Sequence, residues 1–497
     1  MADTQPPAMH SGEKRKRDRV PKSQKKLKET AAAAAALAQK ANAIAAEVGA
    51  IKYSRVEGDP RSVLKPREIS DKKARTNYRK QEKKYTEVIQ RATQSELLLA
   101  EEAGYIEAEG MERTYKFSQK VIRESVDVNT QNKAFDLKLN EFGPYALDYT
   151  RNGRHLLIGG RKGHVATFDW KSKALECELQ LKETVRDVTW LHDETMFAVA
   201  QKVNTYIYDR TGMEIHCLKS FVEVNRLEFL PYHFLLAGVA KSGYLKYQDT
   251  STGQLVAEHR TRLGECNAMT QNPYNAIINL GHTNGTVTLW SPAMPEPLVK
   301  MLCHKGPVKA IAVDRGGYYM ATSGLDGQLK IWDIRSYKPV HEYFTYTPAS
   351  ELSISQLGLL GVGYGPNIAI WKDAFKDKQQ SPYLTHLLPS STVSHLRFCP
   401  YDDVLGIGHA QGISSMIVPG SGEPNYDAFE ANPYQTTEQR KRREVLSLLD
   451  KIQPEMITLN PDFVGGVDRA SGDVRVEERR VEFEVTSFLL RWSEPVC

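Results

Sequence analysis

Asp326-Gly327-Gln328-Leu329-Lys330-Ile331-Trp332-Asp333 combines a tight turn with a strand that ends in an aromatic-aspartate pair. Asp-Gly accepts the positive φ angles that two-residue hairpin turns require. The residues that follow alternate apolar and polar, which is the pattern of a strand with one buried face. The octapeptide therefore predicts part of an antiparallel sheet, and related stretches recur along the chain.

The strand-ending position returns at nearly constant spacing. Successive copies lie 40, 40, 42 and 42 residues apart, at Asp169, Asp209, Asp249, Ser291 and Asp333. A period of about 40 residues with four short strands per unit is the signature of propeller blades. Seven units can be counted, at residues 144–170, 185–210, 224–250, 267–291, 308–334, 350–373 and 393–419. The sequence therefore predicts an all-β fold, a seven-bladed β-propeller.

The fifth unit also carries a set of hydrogen-bonding side chains. His304, Ser323, Asp326 and Trp332 resemble the structural histidine–hydroxyl–aspartate–tryptophan network of WD repeats, with Thr322 as the other candidate for the hydroxyl. A His, a Ser and an Asp could also form a hydrolase triad, but no G-x-S-x-G nucleophile elbow accompanies them. We interpret these residues as structural contacts within a blade.

Closure of the ring requires a strand from elsewhere. The last unit shows no clear outer strand of its own, and an open propeller would leave an unpaired sheet edge. Residues 134–139 alternate apolar and polar ahead of the first unit, without a partner. We predict that this segment supplies the outermost strand of blade seven.

Positive charge is concentrated at the start of the chain. Residues 1–84 contain 22 Lys/Arg and 10 Asp/Glu, a surplus of 12, while the whole chain carries +5, so the remainder carries −7. Two basic clusters, at residues 14–28 and 65–84, flank an Ala-rich segment that should be helical. Such clusters bind nucleic-acid phosphates or direct nuclear import, and a solvated basic tail is the alternative interpretation.

The second basic cluster belongs to a longer stretch that lacks Pro and Gly. This stretch, from Asp71 to Ala103, predicts one long helix, with Ser70 as its cap and Gly104 at its end. Isolated helices are marginal in water, so we expect this one to be ordered by a partner. Its charge indicates RNA as that partner.

Two motifs outside the repeat are more specific than the repeat itself. Residues 104–114, with Gly104-Tyr105-Ile106-Glu107-Ala108-Glu109-Gly110, lead into the propeller. Residues 432–445, with Asn432-Pro433-Tyr434-Gln435-Thr436-Thr437-Glu438-Gln439, follow it and continue to Leu459-Asn460-Pro461. In the second motif Thr437 could cap a helix that displays Arg440 to Arg443 to RNA. The alternative is a helix that packs on the rim of the propeller.

The arrangement of these motifs around a WD-repeat propeller closely resembles the WD-repeat small-subunit processome family, whose members carry a distinctive domain C-terminal to the propeller. The resemblance covers residues 65–467 and implies a nucleolar structural component without activity of its own. It also implies association with pre-rRNA, with the box C/D small nucleolar RNP that guides early pre-rRNA cleavage, and with other processome proteins. Residues 468–497 depart from the strongly basic tail of that family.

The first functional hypothesis is therefore an RNA-associated scaffold, and the second is a protein-only nuclear adaptor, such as a ubiquitin-ligase substrate receptor or a chromatin subunit. The adaptor hypothesis leaves the second basic cluster and the flanking motifs unexplained. The residues that we assign to RNA binding are Lys14, Arg15, Lys16, Arg17, Lys25, Lys26, Lys72, Lys73, Arg75, Arg79, Lys80, Lys83, Lys84, Arg440, Lys441, Arg442 and Arg443.

An enzyme is the third hypothesis and the weakest. The sequence has no P-loop, no dinucleotide-binding turn after a strand and no metal-ligand spacing. The Gly-x-Gly stretches at residues 361–363 and 406–408 fall inside predicted strands, where close packing of blades explains them. We expect no cofactor, no metal, no small-molecule substrate and no membrane association, since no apolar run approaches the about 18 residues of a membrane span.

The resulting division has five parts. We expect a disordered basic arm with an Ala-rich helix at residues 1–64, a helical extension at 65–131, and the propeller at 132–425. A helical motif follows at residues 426–467, and residues 468–497 form a tail without an assigned role.

Overall fold

The computed structural model describes residues 69–95 and 102–461, together with residues 472, 474–477, 479 and 480. The chain divides into two compact units, Met1–Glu101 and Glu102–Cys497. The basic cluster at residues 14–28, the expected Ala-rich helix and most of the C-terminal tail lie outside the described residues.

The described part of the first unit is one helix, α1 (Lys72–Ser95). The Asp71 carboxylate accepts the Lys73 N–H at 3.0 Å, so Asp71 caps this helix and the sequence-based choice of Ser70 was one residue early. The expectation that the helix reaches Ala103 is wrong, because residues 102 and 103 are not helical. From Ile106 onward the chain is held on the propeller, where the Ile106 N–H donates to the Tyr383 hydroxyl at 2.9 Å.

Seven four-stranded antiparallel sheets form the propeller in the second unit, in agreement with the prediction. The ring begins with β1 (Asp136–Lys138), β2 (Tyr145–Tyr149), β3 (His155–Gly160), β4 (His164–Asp169), β5 (Ala174–Gln180), β6 (Asp187–Trp190), β7 (Met196–Ala200), β8 (Asn204–Asp209), β9 (Glu214–Val222), β10 (Val224–Leu230), β11 (Leu235–Ala240), β12 (Tyr244–Asp249) and β13 (Leu255–Arg260). It continues with β14 (Cys266–Gln271), β15 (Ile278–His282), β16 (Thr286–Trp290), β17 (Val299–Leu302), β18 (Val308–Val313), β19 (Tyr319–Gly324), β20 (Gln328–Asp333), β21 (Lys338–Phe344), β22 (Glu351–Ile354), β23 (Leu360–Tyr364), β24 (Asn367–Trp371), β25 (Leu384–Leu387), β26 (Val393–Phe398), β27 (Val404–His409) and β28 (Gly412–Ile417).

Blade seven is completed by a strand from the other end of the chain, as predicted. Its sheet has the order β1-β28-β27-β26. The regular strand β1 covers three residues, and backbone bonds outside it extend the pairing. Leu139 N–H donates to Gln411 O at 2.8 Å, and Ser415 N–H donates to Phe135 O at 2.8 Å. Strand β1 therefore covers the outer edge of β28 and gives blade seven the same four strands as the other blades.

Glycines in the second strands of blades allow neighbouring blades to approach closely. A Cβ atom on Gly363 would lie 2.9 Å from Leu396 of the next blade. A Cβ atom on Gly408 would lie 2.2 Å from the carbonyl oxygen of Tyr145 in blade one. These contacts confirm that the Gly-x-Gly stretches serve blade packing.

The short helices lie outside the ring of strands. They are α2 (Gln119–Ser125), α3 (Val128–Gln131) and α4 (Thr437–Leu449), with 3-10 turns at Thr114–Lys116 and Pro454–Met456. The Gln119 side chain bridges to blade seven, since its amide donates to Ile417 O at 3.0 Å and its carbonyl accepts Ile417 N–H at 3.0 Å. The segment before β1 is therefore fixed on the outer edge of the last blade.

The propeller has two different faces because its strands alternate in direction. We define the lower face as the end of the propeller that carries two connections of each blade. One joins the first strand to the second, and the other joins the third strand to the fourth. The upper face is the end where the second and third strands connect and where the chain passes from one blade to the next. The two faces enclose a central channel lined by the innermost strands.

Candidate interaction surfaces

Helix α1 displays most of its predicted RNA-binding cations. Lys72, Lys73, Arg79, Lys80, Lys83 and Lys84 are exposed. Arg75 is only half-exposed, and its guanidinium donates to Ile69 O at 3.1 and 2.7 Å. Six of the seven predicted residues are therefore available to an anionic partner along this helix, and Arg75 instead binds the chain ahead of the helix.

The N-cap of helix α4 lies one residue before the predicted cap. Thr436 occupies the N-cap, where its hydroxyl accepts the Gln439 N–H at 3.4 Å and its own N–H donates to the Gln439 side chain at 3.0 Å. This reciprocal capping box satisfies two backbone donors at the first turn. Thr437, the predicted cap, is instead the first residue of the helix.

The four basic residues of α4 divide between two environments. Arg440 donates to the Glu194 carboxylate of blade two at 2.9 Å, with side chains only 15% and 9% exposed. Arg443 is half-buried and donates to the Gln435 side chain at 3.3 Å. Lys441 and Arg442 are exposed. The four cations thus divide between the two alternatives, because helical periodicity turns Arg440 and Arg443 toward the propeller and leaves Lys441 and Arg442 at the surface.

Further contacts surround the Arg440–Glu194 pair. His192 Nε2 lies 3.3 Å from Glu444 of α4. Burial, reinforced by the neighbouring Glu194, raises the pKa of Asp193 to about 7. Burial lowers the pKa of His192. The helix thus docks through its polar face, and its apolar side chains Val445, Leu446, Leu448 and Leu449 are exposed. The apolar stripe of the helix is therefore not its docking face.

We define the C-terminal segment as residues 422–460. Its first residues contact blades five, six, one and three. Glu423 pairs with Arg315 of blade five, and its N–H donates to the Gln356 side chain of blade six at 3.2 Å. Glu430 pairs with Arg151 of blade one at 2.5 Å and accepts the Tyr232 hydroxyl of blade three at 2.7 Å.

Beyond α4 the C-terminal segment reaches blades three and four. Lys451 lies 2.5 Å from the Asp249 carboxylate of blade three. The Ser291 hydroxyl of blade four donates to Ile457 O at 2.7 Å, and the Ile457 side chain is 2% exposed within the core. With the Gly422 N–H donating to Asp403 of blade seven at 2.9 Å, the segment contacts all seven blades. These contacts occupy the lower face.

The hydrogen-bond network of blade five uses Thr322. His304 Nδ1 lies 3.1 Å from Asp326, and its Nε2 lies 2.9 Å from the Thr322 hydroxyl, which accepts the Trp332 indole N–H at 3.0 Å. Ser323 lies outside this network and donates to Ala349 O at 3.1 Å.

The correction follows from strand geometry. Met320 pairs directly with Trp332, and Thr322 shares the sheet face of Met320, whereas Ser323 points to the opposite face. Thr322 and His304 are also almost fully buried. Their hydroxyl and imidazole groups therefore form hydrogen bonds within the blade and are not accessible to a substrate.

Six charged side chains line the central channel around a cavity of about 240 Å³: Asp148, Asp187, Arg226, Glu228, Glu351 and Arg397. Arg226 pairs with Glu351 at 2.9 Å, and Arg397 lies 3.3 Å from Asp148. Burial raises the pKa of Glu228 to about 7 and that of Asp187 to about 6. Perturbed carboxylates in a cavity are a common sign of a functional site.

Hydrogen bonds assign two of these carboxylates, Asp148 and Asp187, a structural role. Asp148 of blade one accepts the Trp190 N–H of blade two at 3.0 Å. Asp187 of blade two accepts the Leu227 N–H of blade three at 2.9 Å. Asp148 and Asp187 thereby each satisfy a backbone donor on the next innermost strand, so they join consecutive blades. Sequence analysis missed these residues because no local motif marks them.

Metal ligands, disulfides and membrane-spanning helices are considered next, for the residues that the structure describes. Among the described residues, no group of three or more His, Cys, Asp or Glu side chains could hold a metal ion. The five described cysteines are free thiols. No helix in the described ranges is long and apolar enough to cross a membrane.

Two known domains match the chain. The WD domain, G-beta repeat, matches residues 295–333, which contain the blade-five network. The BING4CT (NUC141) domain matches residues 382–460, a span that joins blade seven to the C-terminal segment. The fold and these matches define a WD-repeat propeller protein with a BING4CT domain.

Curated relatives cover most of the chain. U3 small nucleolar RNA-associated protein 7 of Saccharomyces cerevisiae is 48% identical over 429 residues, which are 83% of this chain and 77% of the relative. WD repeat-containing protein 46 of Homo sapiens is 51% identical over 410 residues, covering 81% and 67% of the two chains. The chain belongs to the family of these two proteins, which confirms the resemblance noted from its flanking motifs.

Proposed function

We propose that the protein is a non-enzymatic scaffold of the small-subunit processome that acts in maturation of small-subunit rRNA in the nucleolus. In this role it binds pre-rRNA, a box C/D small nucleolar RNP and neighbouring processome proteins. The observation that carries the proposal is the 48% identity, over 83% of the chain, to a protein named for its association with U3 small nucleolar RNA.

The surface of α1 supports the RNA-binding part of this proposal. Six exposed cations along one helix present positive charge that suits phosphate groups, and such contacts recognise shape and charge rather than base sequence. Lys441 and Arg442 add two exposed cations on α4. The basic cluster at residues 14–28 has the same charge character in the sequence.

The structural role of the buried polar groups supports the scaffold part. The blade-five histidine and hydroxyl hold one blade together, and the channel carboxylates Asp148 and Asp187 join neighbouring blades. These particular groups, which could imitate catalytic residues, therefore have partners within the fold.

The decisive experiment is ultraviolet crosslinking of the tagged protein to RNA in cells, followed by sequencing. It compares the intact chain with a chain lacking residues 1–84 and with a Lys219→Gln, Lys300→Gln, Lys338→Gln control on outer strands. We expect crosslinks to pre-rRNA and to a box C/D small nucleolar RNA that are lost with residues 1–84 and kept in the control. Absence of RNA crosslinks from the intact chain would reject the proposal in favour of the protein-only adaptor.

A further inference from the structure

The upper face of the propeller carries a cavity of about 440 Å³ at the mouth of the channel. Its walls come from blades one, three, four, five and seven and from the connection between blades one and two. The C-terminal segment occupies the opposite face, so this mouth is not reached by its contacts. The two ends of the channel therefore differ in what they offer to a partner.

Positive charge dominates the walls of this cavity. Five cationic side chains and one carboxylate line it: Arg161, Arg186, Arg226, Lys241, Lys309 and Glu265. Arg226 is neutralised by Glu351 at 2.9 Å. The other four cations have no ion-pair partner among the residues that the structure describes. Unpaired charges around a concave surface focus a positive potential into it.

The polar groups beneath the cations are held in place. The Arg186 guanidinium donates to the Asn225 side chain at 3.2 Å, and the Asn225 amide donates to Glu265 at 3.1 Å. The Arg226 Nε–H donates to Asn267 O at 3.2 Å. His395 also lines the cavity, and its buried Nδ1 has no hydrogen-bond partner. The guanidinium groups of Arg186 and Arg226 are therefore fixed in the mouth, and the exposed side chains of Arg161, Lys241 and Lys309 surround them.

We propose that this mouth binds the acidic side chains of an extended segment of a partner protein. Carboxylates match its chemistry, because guanidinium groups bind them through paired, charge-assisted hydrogen bonds. The volume of the cavity suits a few side chains of one strand and excludes a nucleic-acid duplex.

The lining favours a peptide over single-stranded RNA. Proteins that bind single strands present aromatic rings on which bases stack. The one Phe, Tyr or Trp ring in this lining belongs to Tyr145, which is 1% exposed and cannot accept a base. No residue of helix α1 lines the cavity, so the inference adds a protein contact to the proposed function.

The test uses the full-length protein and two probes of similar length, a fluorescein-labelled octaglutamate peptide and a labelled octauridylate. The mouth variant combines Arg161→Glu, Lys241→Glu and Lys309→Glu. The matched control combines Lys219→Glu, Lys300→Glu and Lys338→Glu, which are exposed on the outermost strands β9, β17 and β21 and change the net charge equally. Binding is measured by fluorescence anisotropy, and circular dichroism establishes that both variants fold.

We expect the mouth variant to bind octaglutamate about tenfold more weakly than the control does, because like charges then face each other across the site. Octauridylate affinity should be equal in both variants. Equal octaglutamate affinity in the two variants would overturn the proposal, and selective loss of octauridylate would identify an RNA site instead. Neither result would affect the crosslinking test of residues 1–84.

A second measurement needs no variant. Carbodiimide joins lysine amines directly to carboxylates, so the bound octaglutamate should form adducts with Lys241 and Lys309 of the wild-type protein. Mass spectrometry locates these adducts. Adducts spread equally over Lys219, Lys300 and Lys338 would contradict a defined site at the mouth.

Discussion

Leu137 and Ile413 face each other across the seam that joins the first and last strands of the propeller. The flanking bonds at Leu139 and Phe135 place Leu137 among the residues whose N–H points toward β28. Lys138, one residue on, points its N–H away from β28 because the direction alternates along a strand.

Leu137→Pro should therefore destabilise the ring by about 1–3 kcal/mol, since it removes a donor and leaves its partner carbonyl unpaired. Lys138→Pro is the matched control and should lower the free energy of unfolding much less. Urea unfolding of both full-length variants measures the difference. Equal destabilisation would argue against the register of the seam.

Arg440→Ala should loosen the C-terminal helix from blade two. The Glu194 carboxylate would stay buried without its partner, at a cost of about 1–3 kcal/mol. Amide hydrogen exchange in residues 437–449 should accelerate in this variant. Arg442→Ala changes an exposed neighbour and should leave the exchange unaltered. Similar effects from both substitutions would show that Arg440 and Glu194 are not coupled.

Thr322→Val should destabilise blade five by about 1–3 kcal/mol, because the buried His304 and Trp332 nitrogens would both lose their partner. Thr322→Ser keeps the hydroxyl and should recover most of that loss. Thermal unfolding compares the two variants. If the serine variant were no more stable than the valine variant, the hydroxyl would not be what holds the network.

The channel carboxylates predict a pH dependence of stability. Burial raises the pKa of Glu228 from 4.5 to about 7, so between these values the folded chain holds a proton that the unfolded chain has released. Stability therefore falls as the pH rises through this window. Glu228→Gln imitates the protonated form and lacks this dependence.

Wild type and Glu228→Gln should be similarly stable near about pH 5, and wild type should be the less stable near about pH 8. Urea unfolding at both pH values measures the gap. Glu258→Gln, on the exposed part of outer strand β13, is the control and should show no such change. If the difference in stability between wild type and Glu228→Gln did not change with pH, Glu228 would not be the cause of the pH dependence.

Replacing the six exposed cations of α1 with glutamine should reduce the salt dependence of RNA binding. Each lost phosphate contact lowers the slope of log affinity against log salt by about 0.7 for single strands. Binding to a single-stranded pre-rRNA fragment at several salt concentrations gives the slope. The control variant with glutamine at Lys219, Lys300 and Lys338 should leave this slope unchanged. If the control lowered the slope as much as the α1 variant does, the attraction of RNA to the protein would be non-specific.

The sequence was sufficient for features with a local signature. Turn glycines and the aromatic-aspartate spacing predicted seven blades, and the unpartnered alternation at residues 134–139 predicted the closing strand. Contacts between distant residues left no such signature. The partner of Arg440 lies 246 positions earlier in the chain, and the choice between Thr322 and Ser323 depends on which sheet face each occupies.

The apolar residues of α4 show a further limit. Amphipathic spacing predicts that apolar side chains are buried, but here the buried face is polar because it meets Glu194 and His192. A pattern within one helix does not show which chemistry its docking surface offers.

The seam also imposes an order on biosynthesis. Residues 135–139 leave the ribosome early, but their partners at residues 411–415 are among the last blade residues to be translated. The ring therefore stays open through most of translation, while the basic residues ahead of β1 have already emerged. Closure of the ring is therefore a late step. A partner that binds the basic residues ahead of β1 can reach the nascent chain before the propeller is complete.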